Sequence, residues 1–339
     1  MSYSSRHPVR VVAAFFGFLL ALLVPAAAAV CAGADMRPRI EAERPGALAA
    51  MAAESAVNGD ARLWRVTSPA GAVSHLYGTM HVTDPAIVAL GPEAQAAYGA
   101  AGTVVIETTD LLDPLEFSAK LMARPELMFF LDGTDLTDLL DEEGERVVRE
   151  ALEARDLTMD AMKSFKPWVL ATQLSLPACM AAADQDILDV DLALRARDAG
   201  LDVRGLETAV EQMEAMASLP LDFHVETLVE TAKLGSEMDD VFATMGMLYA
   251  EGRIGEIWPF LTLAGEMLSA DITGAETSGL ADFQEVMVVR RNHTMAERVV
   301  ETLEEGDAFV AVGALHLPGE EGLVALLRER GYTVDRAAP

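Results

Sequence analysis

Cysteine is nearly absent. Only Cys31 and Cys179 occur in 339 residues. That excludes a disulfide framework and a cysteine-rich zinc site. The two can pair only in an oxidising compartment, and only if Cys31 survives processing; otherwise Cys179 reads as a buried thiol. Basic residues are also scarce. Lys and Arg number 25 against 54 Asp and Glu, for a net charge of −29. A surface this acidic repels nucleic acid and anionic membranes, so a nucleic-acid partner is excluded. Several enzyme signatures are missing as well: there is no H-E-x-x-H, no G-x-S-x-G and no phosphate loop ending in G-K. No G-x-G opens a helix after a strand, which disfavours a dinucleotide-binding domain and the common serine hydrolases. The longest apolar run inside the chain, "KPWVLATQLSLPACMAAA", is broken by Thr172, Gln173 and Pro177. It predicts a kinked core helix and not a membrane span.

What is present begins with an N-terminal leader. Residues 1–30 carry Arg6 and Arg10, then the uncharged "VVAAFFGFLLALLVP", then small residues around Ala29 and Ala32. This order is that of a signal peptide, and it predicts export to the periplasm or beyond. The competing expectation is a leader retained as an anchor, in which case the membrane is met only through this segment. Residues 31–60, rich in Ala, Gly, Glu and Pro, read as a loosely ordered lead-in to one domain over 61–336.

Within that domain "LWRVTSPAGAVSHLYG" reads as a hairpin, strand–turn–strand, breaking at Gly78. "GPEAQAAYGAA" predicts a helix and "TVVIET" a buried strand ending at Glu107; strand–helix–strand suggests a crossover unit. Residues 111–183 are helical in pattern. "LDVRGLET" is another strand ending in an acid, Glu207. Helices fill most of 208–305, and "DAFVAVGALHL" and "GYTV" return to strand. The expected class is α/β: a layered sheet built from strands at both ends of the mature chain, with a large helical insertion.

Chemistry concentrates at strand ends. "GTMH" places His81 after Gly78, and "GALH" places His316 after Gly313, each at the end of an apparent strand. Glycine lets backbone come close to a ligand. If the strands pair, His81, Glu107, Glu207 and His316 meet at one edge of the sheet, where sites in α/β folds form. Imidazoles and carboxylates suit a divalent ion, with open positions for water and substrate. The ion would acidify water and polarise a carbonyl, and a further carboxylate would act as base. Arg291 would hold an oxyanion or a substrate carboxylate, against the plainer reading of a solvated helix charge. Of the other histidines, His75 reads as structural or surface, His224 as surface and His293 as a helix-face residue.

Taken in order, "LWRVTSPAGAVSHLYGTMHV", "VVIET", "KPW", "VRGLETAVEQ", "RRNHTMAERV" and "FVAVGALHLPGEEGLVALLRERGYTV" resemble the motif series of the TraB/GumN family over residues 62–335. Animal Tiki proteins belong to the same superfamily, with erythromycin-esterase-like and ChaN-like proteins as more distant members. The resemblance implies an α/β layer fold in which the two G-x-x-H motifs converge. It also implies divalent-metal-dependent proteolysis, with manganese or cobalt as the ion. Carried over by motif, the metal ligands are His81, His316 and Glu107; the catalytic set is Glu107, Glu207, Arg291 and Asn292; Gly78 and Gly313 are the motif glycines. The expected function is an exported hydrolase, peptidase-like, acting on a small peptide, amide or ester. The alternative is a binding protein that sequesters a peptide or polysaccharide fragment in the same pocket without turnover.

Overall fold

The protein is described by a computed structural model. The described residues are 33–82, 84, 87, 89–177, 180, 186–268 and 277–337. The leader, Cys31 and Cys179 lie outside them. Six strands form one sheet: β1 (Leu63–Thr67), β2 (Val73–Thr79), β3 (Thr103–Ile106), β4 (Asp202–Gly205), β5 (Ala308–Gly313) and β6 (Thr333–Arg336). Their order is β4-β3-β5-β2-β1-β6. β1 and β2 form the hairpin expected from the sequence. β2, β5, β3 and β4 run parallel. β1 alone runs against its neighbours.

The expected crossover takes a particular form. β2 connects through the helix Pro92–Ala100 to β3, yet the two strands do not touch. β5, from the far end of the chain, lies between them and pairs with both. The two ends of the chain therefore build one sheet, and the long helical middle is an excursion from it.

β5 explains its own central place. "AFVAV" has no polar side chain, and every one of these residues is buried, as a parallel strand covered on both faces requires. Alternate residues serve opposite faces. Leu76, Val105 and Val310 join one core cluster, with Ile40, Met51, Leu248, Phe260, Met295 and Val324. Tyr77, Val104 and Phe309 join the other, with Tyr98, Leu192 and Ala196. Burying each such large side chain contributes about 1.5–3 kcal/mol. The helical middle has cores of its own, around Leu152, Met162, Leu170 and Leu228 and around Phe117, Trp168 and Met213. Among the described residues no helix is long and apolar enough to cross a membrane.

Two sequence expectations need correction. Residues 31–60 read as loosely ordered because they are rich in Ala, Gly, Glu and Pro, but Arg37–Glu43 and Ala47–Ala53 are helices. Met36, Ile40 and Met51 enter the main core, and Met36 N–H donates to Thr244 at 2.8 Å. Three well-placed apolar side chains suffice to dock short helices that composition alone would leave loose. His224, expected at the surface, is 4% exposed; it sits in the first turn of Leu221–Leu234, facing inward.

Candidate functional site

The carboxyl ends of four adjacent parallel strands carry the chemistry. Ile106 pairs with Gly205 across β3–β4 and with Ala311 across β3–β5. Thr79 pairs with Gly313 across β2–β5. Each strand then turns off the sheet within a few residues of its acid or histidine. Glu107, Glu207, His81 and His316 consequently leave the same edge, the place where ligands bind in open α/β sheets.

The two motif glycines serve close approach. A Cβ on Gly78 would lie 2.9 Å from Leu317 Cδ1 and 3.0 Å from Ala314 Cα. One G-x-x-H turn thus packs directly on the other. A Cβ on Gly313 would lie 3.1 Å from Glu107 Oε1 and 3.4 Å from His316 Cδ2. The strand break expected at Gly78 comes one residue later, since β2 continues to Thr79, and Gly313 has φ −51°, open to any residue. The Gly78 carbonyl accepts from the Tyr249 hydroxyl at 2.9 Å, which pins the first turn from beneath.

Glu107 is the hub. Its Oε1 accepts from Gly313 N–H at 2.7 Å and lies 3.6 Å from His316 Nε2. Its Oε2 accepts from Arg291 Nη2 at 2.6 Å and Gln212 Nε2 at 3.2 Å. Burial alone would raise its pKa. The charge that His316 takes up at low pH, the Arg291 and His81 charges and the Gly313 N–H outweigh burial and hold it well below the usual carboxylate range. Glu207 accepts from Arg291 Nε at 3.0 Å and Nη2 at 2.8 Å. It is set in place by Thr208, which caps the following helix in a reciprocal capping box with Glu211. Arg291 therefore bridges two buried carboxylates, and it is 12% exposed. The reading of Arg291 as a solvated helix charge is excluded. Its helix, Arg290–Arg298, follows a π-helical turn at Glu285–Val289, whose Met287 carbonyl accepts from Arg291 Nη1. Such wide turns recur at functional sites.

Asn292 decides the state of His316. Its Nδ2 donates to the Glu321 carbonyl at 2.7 Å, so its Oδ1 must be the atom facing His316 Nδ1 at 2.6 Å. A carbonyl oxygen only accepts, so Nδ1 carries the hydrogen and Nε2 is left with a lone pair. Burial, only partly opposed by Glu107, lowers the His316 pKa to about 4 and keeps the ring neutral at neutral pH.

His81 is placed differently. Half of its side chain is open to solvent, 51%, and its Nε2 lies 3.4 Å from Asp189 Oδ2. Burial in the cleft pulls its pKa down, but Asp189 and then Glu107 pull harder, raising it to about 9. Solvent at the open side weakens this attraction. Asp189 is 5% exposed. One of its oxygens accepts from the Thr79 hydroxyl at 2.8 Å; the other, Oδ2, is buried without a hydrogen bond. His293 stands apart on the surface, paired with Glu321.

The donor types suit a divalent cation: an imidazole Nε2 lone pair oriented from behind by an amide, a second imidazole, and a buried carboxylate oxygen with no hydrogen bond. Two buried carboxylates, Glu107 and Glu207, also share a single guanidinium. The donors are not drawn into one shell, since among the described residues no group of three or more His, Cys, Asp or Glu side chains is placed to hold a metal ion. Sequence reasoning missed Asp189, Gln212 and Thr79. Asp189 had no signal beyond being one of two acids in a helical first turn.

A model of the TraB/PrgY/gumN family matches residues 62–336. The chain belongs to the TraB/PrgY/gumN family. That match spans every strand of the sheet and every residue of the site just described. No curated protein and no solved structure gives a significant match. Within this TraB/PrgY/gumN domain, the two G-x-x-H turns pack against one another, and Arg291 and Asn292 reach the site from one helix.

Proposed function

We propose that this chain is an exported, divalent-metal-dependent hydrolase acting on a small peptide, amide or ester. The observation that carries the reading is His316: a buried, neutral imidazole whose Nε2 lone pair is fixed by Asn292 beside an ionised carboxylate. His316 and His81 would hold the cation, through Nε2 in each, with a carboxylate completing the set. The cation supplies a more acidic bound water and a polarised carbonyl.

The remaining chemistry belongs to the chain. Glu107 stays ionised at neutral pH, and its Oε1 faces His316, so it is the acceptor for the proton of the attacking water. Arg291 and Gln212 hold that carboxylate in one orientation. Glu207 fixes Arg291 in turn; with its oxygens turned to the guanidinium, it supports the site and does not meet substrate. Arg291 spends its Nε and both Nη2 hydrogens on the two carboxylates and one Nη1 hydrogen on Met287. One Nη1 hydrogen is left for a substrate oxygen.

The test is product formation. The full chain is incubated with a defined library of peptides and aryl esters in the presence of Mn²⁺ or Co²⁺, and products are separated by mass spectrometry. Cleavage is expected, and His316→Ala should abolish it while the circular dichroism stays unchanged. Full turnover by a folded His316→Ala overturns the proposal. Ligand held tightly but recovered intact replaces it with sequestration.

A further inference from the structure

We infer that residues 33–59 form a strap that holds both G-x-x-H turns in shape, so that the candidate site depends on a segment lying wholly outside the family match at 62–336. The strap acts on the turns whatever reaction they serve.

The segment runs alongside the helix Glu237–Ala250, in step with it. A Cβ on Gly33 would lie 1.9 Å from the Asp239 carbonyl oxygen. Ala34 N–H donates to Asp240 at 2.6 Å, Met36 N–H donates to Thr244 at 2.8 Å, and Arg37 reaches Glu251 with two bonds of 2.8 and 2.9 Å. Arg39 and Arg44 pair with Glu237 and Glu266, each at 2.7 Å. Cations are scarce in this chain, yet Arg37, Arg39 and Arg44 are all spent on this helix and the next, Ile257–Leu268. Ion pairs open to solvent contribute little each, so these set the register of the strap more than they hold it. The holding falls to Met36, Ile40 and Met51, buried in the main core with Leu248, Tyr249, Ile257 and Phe260.

Two paths lead from the strap to the site. On the first, the helix it fastens carries Tyr249, whose buried hydroxyl donates to the Gly78 carbonyl at 2.9 Å. Gly78 N–H donates to the Arg62 carbonyl at 2.8 Å, and the Arg62 guanidinium lies over the Tyr249 ring, 4.6 Å from its centre. The glycine that opens the first turn is thus gripped on both sides. On the second path, Ala56 N–H donates to the Gly255 carbonyl at 3.1 Å and Gly255 N–H donates to the Gly59 carbonyl at 2.9 Å. A Cβ on Gly59 would lie 2.3 Å from Gly255 Cα, so only bare backbone fits there. The turn bound in this way, Ile254–Glu256, packs on Ala314–His316. Just beyond His316, Gly319 N–H donates to the Val57 carbonyl at 2.8 Å. The strap therefore meets the exit of the second turn directly and the first turn through one hydroxyl. Turns held by so few bonds open locally once their support is withdrawn, without unfolding the sheet beneath.

The experiment is hydrogen exchange read by mass spectrometry on the full chain, comparing wild type, Met36→Asp/Ile40→Asp and Tyr249→Phe. Charges placed at two buried apolar positions drive the strap off the core. Residues 33–59 are then expected to exchange freely, and segments 78–82 and 314–319 to exchange at least about 10-fold faster than in wild type, while β3 and the helix Leu188–Asp198 keep their protection. Tyr249→Phe removes one bond on one path. Segment 78–82 should exchange about 3–10-fold faster, the worth of one hydrogen bond, with 314–319 and the strap unchanged. A released strap with both turns exchanging as in wild type overturns the inference. So does equal acceleration everywhere, which would make 33–59 one more piece of a single cooperative core. A strap still protected in the double variant overturns it by denying its anchors, and unchanged exchange at 78–82 in Tyr249→Phe overturns it for the first turn.

Discussion

Removing the guanidinium of Arg291 leaves two carboxylates facing each other in a nearly closed space. In the Arg291→Met variant the stem keeps its packing, but Glu107 and Glu207, 9% and 4% exposed, lose their shared cation. Breaking a buried ion pair by deleting one partner costs about 3–5 kcal/mol, because the partner's charge stays behind. Here two charges stay behind, so the upper half of that range is expected at pH 7. Urea unfolding followed by circular dichroism measures it. The pH dependence supplies the control. Glu107 has a folded pKa below its unfolded value, so its contribution is present above about pH 4.3 and disappears as the pH falls through the lower folded value. In the variant that depression shrinks, and the gap between wild type and variant should narrow below about pH 4.3 as the orphaned carboxylates protonate. Adding Glu207→Gln to Arg291→Met should restore at least about 1 kcal/mol by removing one stranded charge. A loss under about 1 kcal/mol at pH 7, or a gap that does not change with pH, refutes the reasoning.

Four further outcomes are expected. In the chelator-treated chain the two site histidines should give opposite pH limbs. His316, lowered to about 4, costs stability as the pH falls from 6.5 towards 4, whereas His81, raised to about 9, adds stability below 6.5 that is lost as the pH rises towards 9. His316→Gln should flatten the first limb and His81→Gln the second in urea midpoints against pH; the reverse pattern contradicts the assignment. Asn292→Ala leaves His316 Nδ1–H and the Glu321 carbonyl unpaired in a position 1% exposed, and calorimetry should show a loss of about 2–4 kcal/mol. Gly78→Ala forces a methyl group to 3.0 Å from the Ala314 backbone and should cost about 1–3 kcal/mol by thermal unfolding, despite an allowed backbone. His224→Phe, replacing a buried ring whose Nε2 has no partner, should be neutral or stabilising within about 1 kcal/mol, where a surface histidine would give no reason for a gain.

The edge of the sheet was legible because each strand announced its end. Glu107 and His316 follow runs of small or branched apolar residues, Glu207 and His81 follow strands that close beside Gly205 and Gly78, and parallel strands place such ends on one side. The position of β5 between β3 and β2 was not legible: "AFVAV" says that a strand is buried on both faces, not which neighbours bury it. Asp189 was illegible for the same reason. In "DVDLALRARDAG" it reads like Asp191, which lies two residues on and pairs with Arg195 in solvent; only the packing of Leu188–Asp198 under β3 brings the first of the two acids to His81. The glycines were read as letting backbone come close to a ligand, and what comes close to Gly78 is the other turn, far away in sequence. Gln212 reads in the sequence as one more polar residue of an ordinary helix, and its bridge between two carboxylates exists only once β3 and β4 are paired.

The central claim is that the two G-x-x-H histidines serve one cation site. The most direct measurement is bound metal. The chain from residue 33 onward and its His81→Ala/His316→Ala double variant are dialysed against equal trace Mn²⁺, Co²⁺ and Zn²⁺, and bound metal is counted by mass spectrometry. About one ion per chain in the first, and none in a folded second, is the expected result. Equal metal in both, or none in either, contradicts it.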